Sequence, residues 1–200
     1  MDYLDTLTLF QPVAEAFEKA GVEYYIGGSV AASFYGIMRN TADIDVVADV
    51  REEHVKLLVD ELSKDFYIDE QSLREAIRRR GSCNWIDWEH GLKVDVFALG
   101  KREWDQVAWQ RRRKMIVDPF DGTEVFVPTA EDIILKKIEW YRMGNEVSEN
   151  QWRDVLGVCK TQAGDLDFAY LHHWAKQINI SDLLARALEE SGMDEYKEQA

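Results

Sequence analysis

Residues 27–45 read GGSVAASFYGIMRNTADID, and the fold follows from how this stretch is parsed. Val22 to Ile26, just before it, is β-branched and aromatic and predicts a buried strand ending at Gly27-Gly28. Ser29 is suited to cap a helix running to about Tyr35, with Gly36 as its stop. Ile44 to Val47 predicts the next strand, and the period of two along a strand sets Asp43 and Asp45 on one face with apolar neighbours on the other. A glycine turn running into a helix N-terminus can cradle an anion, because its N–H groups converge and no Cβ keeps a phosphate away. The same turn also occurs as a plain turn. Two carboxylates on one strand face repel each other, so they call for a cation or a raised pKa, although Asp-x-Asp is also common in solvated loops.

The composition narrows what such a stretch can serve. Two hundred residues suit one domain, or one domain with a helical appendage. Hydrophobic residues at 46% and aromatics at 12% exclude a disordered chain. With 38 acidic against 24 basic residues the formal net charge is -14, a field that repels nucleic acid unless basic groups gather locally or divalent cations intervene. That balance argues against non-specific coating of DNA or RNA. Cys83 and Cys159 lie in separate segments with no spaced partner, which predicts buried free thiols and neither a zinc site nor a disulfide framework. The chain has no basic start followed by an apolar run, and no apolar stretch of roughly 18 residues. The expectation is a soluble, cytoplasmic protein with no membrane partner.

Outward from the central stretch, Leu4, Leu7, Phe10, Val13, Ala14 and Phe17 recur at helical spacing and predict a packing helix over the first twenty residues, stopped at Gly21. Val55, Leu58, Val59 and Leu62 predict a helix from Arg51 to about Ser63, followed by a short strand near Phe66 to Ile68 and a helix from Gln71 to Arg79. Ser82 to Trp88 and Leu92 to Leu99 predict a hairpin around Glu89-His90-Gly91. Asp95 stands inside the second of these strands, in KVDVFAL, where an acidic side chain needs a cation or a hydrogen-bonding partner if its face is buried. It is the natural third carboxylate. Three such groups could hold two magnesium ions, a metal suited to hard oxygen ligands and nucleotide phosphates. A short helix over Trp104 to Trp109 and strands at Lys114 to Val117 and Glu124 to Val127, around the turn Pro119-Phe120-Asp121-Gly122, complete this half. Past Pro128 the pattern becomes helical: Thr129 and Asp132 resemble a capping box with Asp in place of Glu, and helices are predicted over 130–142, 148–161, 167–177 and 181–191, broken at Gly144-Asn145, Gly164 and Asn179. The boundary therefore falls at Pro128, giving a core of residues 1–128 and a helical region of 129–200.

The combination of a Gly-Gly-Ser turn after the first strand, a helix, Asp-x-Asp on the next strand and a third Asp on a later strand resembles the nucleotidyltransferase superfamily with a polymerase-β-like core. In detail GGSVAASFYG-x-x-R-x-T-x-DID is similar to AbiEii-type toxin nucleotidyltransferases and related minimal or antibiotic-modifying members. The likeness covers roughly residues 20 to 100 and continues more weakly through PTAEDIILKKIEWYR and NQWRDV. It implies an α+β fold, a mixed-sheet core with flanking helices followed by a C-terminal helical region. It also implies magnesium-dependent transfer of a nucleoside monophosphate from a nucleoside triphosphate to a hydroxyl or phosphate acceptor on RNA, protein or a small molecule. On that resemblance Gly27, Gly28 and Ser29 hold the β,γ-phosphates, Asp43 and Asp45 bind metal, and Asp95 completes the acceptor side. Lys137, preferred over the adjacent Lys136, reaches the triphosphate, and Asp154, in the Arg153-Asp154 pair, assists the acceptor hydroxyl or orients the lysine.

Several of the remaining candidates carry two readings. Arg39 contacts phosphate or pairs with an acidic neighbour at the surface. Thr41 supports the Asp43 loop by a side-chain hydrogen bond. Ser82 and Asn84 face the site beside Asp95, or line an open sheet face. Arg78-Arg79-Arg80 and Arg111-Arg112-Arg113-Lys114 are solvated, salt-bridged runs or a docking surface for a phosphorylated acceptor. His172-His173 has no ligand partner at metal spacing, and Trp140, Tyr141 and Trp152 suit helix packing. Two function classes follow: a nucleotidyltransferase, which the resemblance relates to toxin-antitoxin systems, and a non-catalytic nucleotide-binding or partner-binding module on the same fold.

Overall fold

A computed structural model describes residues 3–36, 41, 43–118, 123–193 and 196. The predicted turn at Pro119 to Gly122 and the candidate Arg39 lie outside the described residues. The chain divides into two compact units, Met1–Val30 with Arg39–Val127, and Ala31–Met38 with Pro128–Ala200.

The first unit is a mixed α+β layer. Its elements are α1 (Tyr3–Ala20), β1 (Tyr24–Ile26), the start of α2 (Gly28–Tyr35), β2 (Asp43–Ala48), α3 (Val55–Leu62), β3 (Phe66–Tyr67), α4 (Glu70–Arg79), β4 (Ser82–Asp87), β5 (Lys93–Ala98), α5 (Glu103–Arg111), β6 (Arg113–Asp118) and β7 (Thr123–Val127). Five strands form one sheet in the order β1-β2-β5-β4-β3, and β6 and β7 form a separate hairpin. Only the β2–β5 pairing within the larger sheet is parallel.

Strict alternation drives the burial of one sheet face, as period-two patterning requires. Ile44, Val46 and Ala48 of β2, Val94, Val96 and Ala98 of β5, and Cys83 and Trp85 of β4 are all buried. Phe10 and Phe17 of α1 pack against Tyr24, and Phe17 also meets Trp85, with ring centroids 5.6 Å apart. The alternate residues Asp43, Asp45, Lys93, Asp95, Asn84 and Ile86 stand on the opposite face. That face is covered at one corner, where Tyr25, Leu99 and Trp109 cluster with Val47 and Phe126.

The second unit contains the rest of α2 and four helices, α6 (Ala130–Met143), α7 (Glu149–Gln162), α8 (Phe168–Gln177) and α9 (Ser181–Glu190). Ile134, Leu135, Ile138, Val155, Val158, Leu171, Leu184 and Leu188 form its interior. Thr129 caps α6 as its spacing predicts: its hydroxyl accepts from the Asp132 N–H at 3.4 Å and donates to the Asp132 carboxylate at 2.9 Å. The second carboxylate oxygen of Asp132 accepts from Tyr170 at 2.6 Å, which ties α6 to α8. Ser148 and Asp167 cap α7 and α8 in the same manner. Residues 31–36 group with these helices because the Tyr35 carbonyl accepts from Thr161 and Gln162 of α7, and Gly36 sits against the Gly157–Val158 backbone.

One local expectation changes and another holds. The second helix begins at Gly28, so Ser29 lies in its first turn and does not cap it. Gly28 takes a φ of +56°, a left-handed value that suits glycine at the junction. Both cysteines are buried and free; burial pushes each thiol up to about 12, which suits packing and not nucleophilic chemistry.

Candidate active site

The carboxylate face is assembled by strand register. Asp45 of β2 is the Cα partner of Asp95 on β5, and Asp43 is the partner of Lys93. On the other side of β5, Asn84 pairs with Asp95 and Ile86 with Lys93. Partners directly opposite in a sheet share a face with Cβ atoms about 4.5–5.5 Å apart, so two rows form: Asp45–Asp95–Asn84, and Asp43–Lys93–Ile86. The sequence reading sets Asp43 and Asp45 on one face and leaves Asn84 between the site and an open sheet face; the register puts Asp95 and Asn84 on the same face as the pair. The sequence does not by itself make Asp45 and Asp95 neighbours, since that depends on the parallel pairing of strands far apart in the chain.

Lys93 is the residue that the sequence reading passed over. Its Nζ donates to Asp95 Oδ2 at 2.7 Å, and Asn84 Nδ2 donates to Asp95 Oδ1 at 2.7 Å. The hydrogen bond to Asp95 holds the ammonium above its ordinary pKa, and the fields of Asp95, Asp43 and Asp45 add to it. A lysine is a compact point charge, and here it offsets part of the repulsion that three carboxylates create. The signal was available in K-V-D-V, because residues two apart on a strand share a face.

Asp45 is also placed against the start of α2. A Cβ at Gly28 would fall inside the Asp45 carboxylate, and Gly27 N–H donates to the Asp45 carbonyl at 2.7 Å. The close approach of Asp45 thus demands glycine at position 28, whereas a Cβ at Gly27 would meet only ordinary contacts at 3.8 Å. Thr41 supports the entry to β2 as expected, its hydroxyl accepting from the Asp43 N–H at 3.1 Å. The Thr6 hydroxyl in turn donates to the Thr41 carbonyl at 2.9 Å.

Asp43, Asp45 and Asp95 supply the hard oxygen donors that magnesium prefers, and Asp43 is exposed while Asp45 and Asp95 are half-buried. Among the described residues no group of three or more His, Cys, Asp or Glu side chains closes into a metal cage. The donor chemistry fits magnesium, with Lys93 already drawn to the third carboxylate.

In the second unit, Lys137 of α6 donates to Asp154 at 2.8 Å and to Gln151 at 3.1 Å, both on α7. The Lys137 and Asp154 side chains are 4% and 9% exposed, so this is a buried ion pair. Lys136, one position earlier, bonds Glu139 on its own helix. The basic runs are engaged locally: Arg78 and Arg79 pair with Glu75, Arg112 lies 4.1 Å over the Trp109 ring and pairs with Glu23, and Lys114 pairs with Glu124. His172 bonds the Tyr196 carbonyl, and Tyr141 packs on Trp152 with centroids 5.0 Å apart.

The fold is similar to that of solved nucleotidyltransferase-like structures. An antigenic nucleotidyltransferase-like protein from Paracoccidioides brasiliensis superposes with a TM-score of 0.55 at 17% identity, covering 94% of each chain. The lincosamide antibiotic adenylyltransferase LnuA, solved with lincomycin bound, superposes with a TM-score of 0.51 at 13% identity, over 76% of this chain and 94% of that one. No protein-family model and no curated protein sequence matches the chain. No helix among the described residues is long and apolar enough to cross a membrane.

Proposed function

We propose that this protein is a magnesium-dependent nucleotidyltransferase that moves a nucleoside monophosphate from a nucleoside triphosphate to a hydroxyl acceptor. The observation that carries the reading is the pairing of Asp45 with Asp95 on neighbouring parallel strands, immediately beside the glycine start of α2. In the proposed reaction the acceptor oxygen attacks the α-phosphorus, the new P–O bond forms as the bond to the β-phosphate oxygen breaks, and pyrophosphate leaves. Asp95 takes the hydroxyl proton or passes it to water. Asp43 and Asp45 would hold magnesium, with Asp95 serving a second ion. Bound magnesium supplies charge neutralisation at the triphosphate and the leaving pyrophosphate. Gly27, Gly28 and Ser29 hold the β,γ-phosphates, Arg39 and Lys137 add nucleotide contacts, and Asp154 orients Lys137. The chain's own contribution is positioning and preorganised charge.

LnuA, as its lincomycin complex indicates, takes a small-molecule acceptor, and we assign this chain a small hydroxylated acceptor by that analogy. RNA and protein acceptors, with the toxin-antitoxin role and protein partner that the AbiEii-type motif would bring, are the alternatives. The test supplies labelled nucleoside triphosphates one at a time with magnesium and candidate acceptors. Transfer with pyrophosphate release supports the reading. Absence of transfer together with absence of nucleotide-induced thermal stabilisation removes it.

One observation favours a second reading, a non-catalytic nucleotide-binding or partner-binding module. Lys93 and Asn84 together bond both oxygens of Asp95, an arrangement that suits a charge-neutralised fold as well as a resting enzyme. Stabilisation by nucleotide without turnover of any acceptor would select it.

A further inference from the structure

The row that begins at Asp43 and Lys93 continues across the sheet into apolar surface. Ile86 is the Cα partner of Lys93 on one side and of Tyr67 on the other, so all three share the carboxylate face. Trp88 follows two residues after Ile86, and its N–H donates to the Asp65 carbonyl at 3.0 Å, prolonging the β3–β4 ladder. Its ring meets Tyr67 edge-on, with centroids 5.7 Å apart. Tyr67, Ile86 and Trp88 are 49%, 42% and 64% exposed. Scattered exposed apolar residues are ordinary, but three that touch or register with one another on the carboxylate face form a shelf. With strands about 4.8 Å apart and a rise of about 3.4 Å per residue, Tyr67 lies about 12 Å from Asp95.

Charge decides what this shelf can hold. Exposed Asp65, Asp69 and Glu89 adjoin Tyr67 and Trp88 in the chain, Asp43, Asp45 and Asp95 share the sheet face, and Lys93 is committed to Asp95. The nearby His90 is paired with Asp87. Aromatic faces set among carboxylates attract an organic cation, the faces through the ring quadrupole and the carboxylates through ordinary Coulomb attraction, and the carboxylates repel a polyanion.

We propose that the Tyr67–Ile86–Trp88 shelf binds the acceptor, and that the acceptor is a small hydroxylated organic cation with an apolar or aromatic body. Its amine and ring rest on Trp88 and Tyr67 while its hydroxyl extends along the sheet toward Asp95. This assignment of the acceptor role rests on the nucleotidyltransferase reading; the binding of the cation does not.

The test uses the full chain without nucleotide, following tryptophan indole signals in proton–nitrogen NMR spectra, with the Trp88 signal identified in Trp88→Phe. The probes are tyramine, an aromatic hydroxylated amine, and 3-(4-hydroxyphenyl)propionate, which carries a carboxylate in place of the ammonium on the same phenol side chain. Tyramine is expected to shift the Trp88 signal, to bind about tenfold or more tightly than the propionate, and to lose about tenfold in affinity in Tyr67→Ala, the scale expected for a cation–π contact. Equal binding of the two probes, no shift of Trp88 at millimolar tyramine, or an unchanged affinity in Tyr67→Ala would each overturn the proposal. So would concentration-dependent dimerisation abolished by Trp88→Ala, which would assign the shelf to a second copy of the chain. Thermal stabilisation by ATP with magnesium is measured separately and is expected to be the same in Trp88→Ala as in the parent. Its absence in the parent, together with absence of transfer, would remove the nucleotidyltransferase reading and the acceptor role, while a Trp88 shift would still establish the cation site.

Discussion

At the residue scale, Lys93 and Gly28 govern the carboxylate face. Lys93 competes with any cation for Asp95, so Lys93→Met is expected to strengthen magnesium binding several-fold in calorimetric titration, whatever its effect on turnover. Unchanged affinity would show that Asp95 takes no part in holding the ion. Asp45→Ala is expected to lower transfer by at least about a hundredfold, the scale of losing a preorganised charge-stabilising group. The variant should keep the fold, because removing one of several mutually repelling carboxylates relieves the face. Gly28→Ala meets two penalties, a positive φ and a collision with the Asp45 carboxylate. A loss of about 1–3 kcal/mol in chemical denaturation is expected. Near-wild-type activity in Asp45→Ala would remove the metal assignment.

At the element scale, the β4–β5 hairpin and the α6–α7 pair each depend on one polar arrangement. Asp87 is buried, which by itself pushes its carboxyl up, yet the backbone N–H groups of His90 and Glu89 and the His90 ring bring it below the ordinary carboxylate range. A depressed folded-state pKa contributes stability that is present above the unfolded value of about 3.9 and is lost as pH falls through the folded value. Acid unfolding of the parent should therefore carry this loss at the acid end, and Asp87→Asn should flatten it. In the second unit, Lys137→Ala leaves the buried Asp154 carboxylate without its cation and is expected to cost about 3–5 kcal/mol. Lys137→Met with Asp154→Leu should recover most of that loss. If the double variant regains stability and still fails to bind nucleotide, Lys137 has a ligand role beyond packing; full recovery of nucleotide binding would make it structural.

At the scale of the whole molecule, the helical periodicity of α1, α3, α4 and α6 to α9 and the alternation of β2, β4 and β5 were legible because each pattern lies within a few residues of chain. The capping of α6 by Thr129 was legible for the same reason. Ser29 was misread as a cap because the need for glycine at position 28 arises from Asp45, which follows only after the helix. The C-terminal helices also draw Tyr35 and Gly36 into their unit, so a fragment of residues 129–200 alone would lack those contacts. It is expected to show a broader, lower-temperature thermal transition than the same helices in the full chain. The sequence by itself determined the element types and the placing of Asp43 and Asp45 on one strand face, since these depend on local spacing and on the 2.0 and 3.6 residue periods, while the α+β class was what the family resemblance implied. The tertiary structure alone decided that β2 and β5 pair in parallel, setting Asp45 beside Asp95, Lys93 beside Asp43, and Ile86 between Lys93 and Tyr67. Strand register is fixed by packing between segments distant in the chain, and no local period carries it.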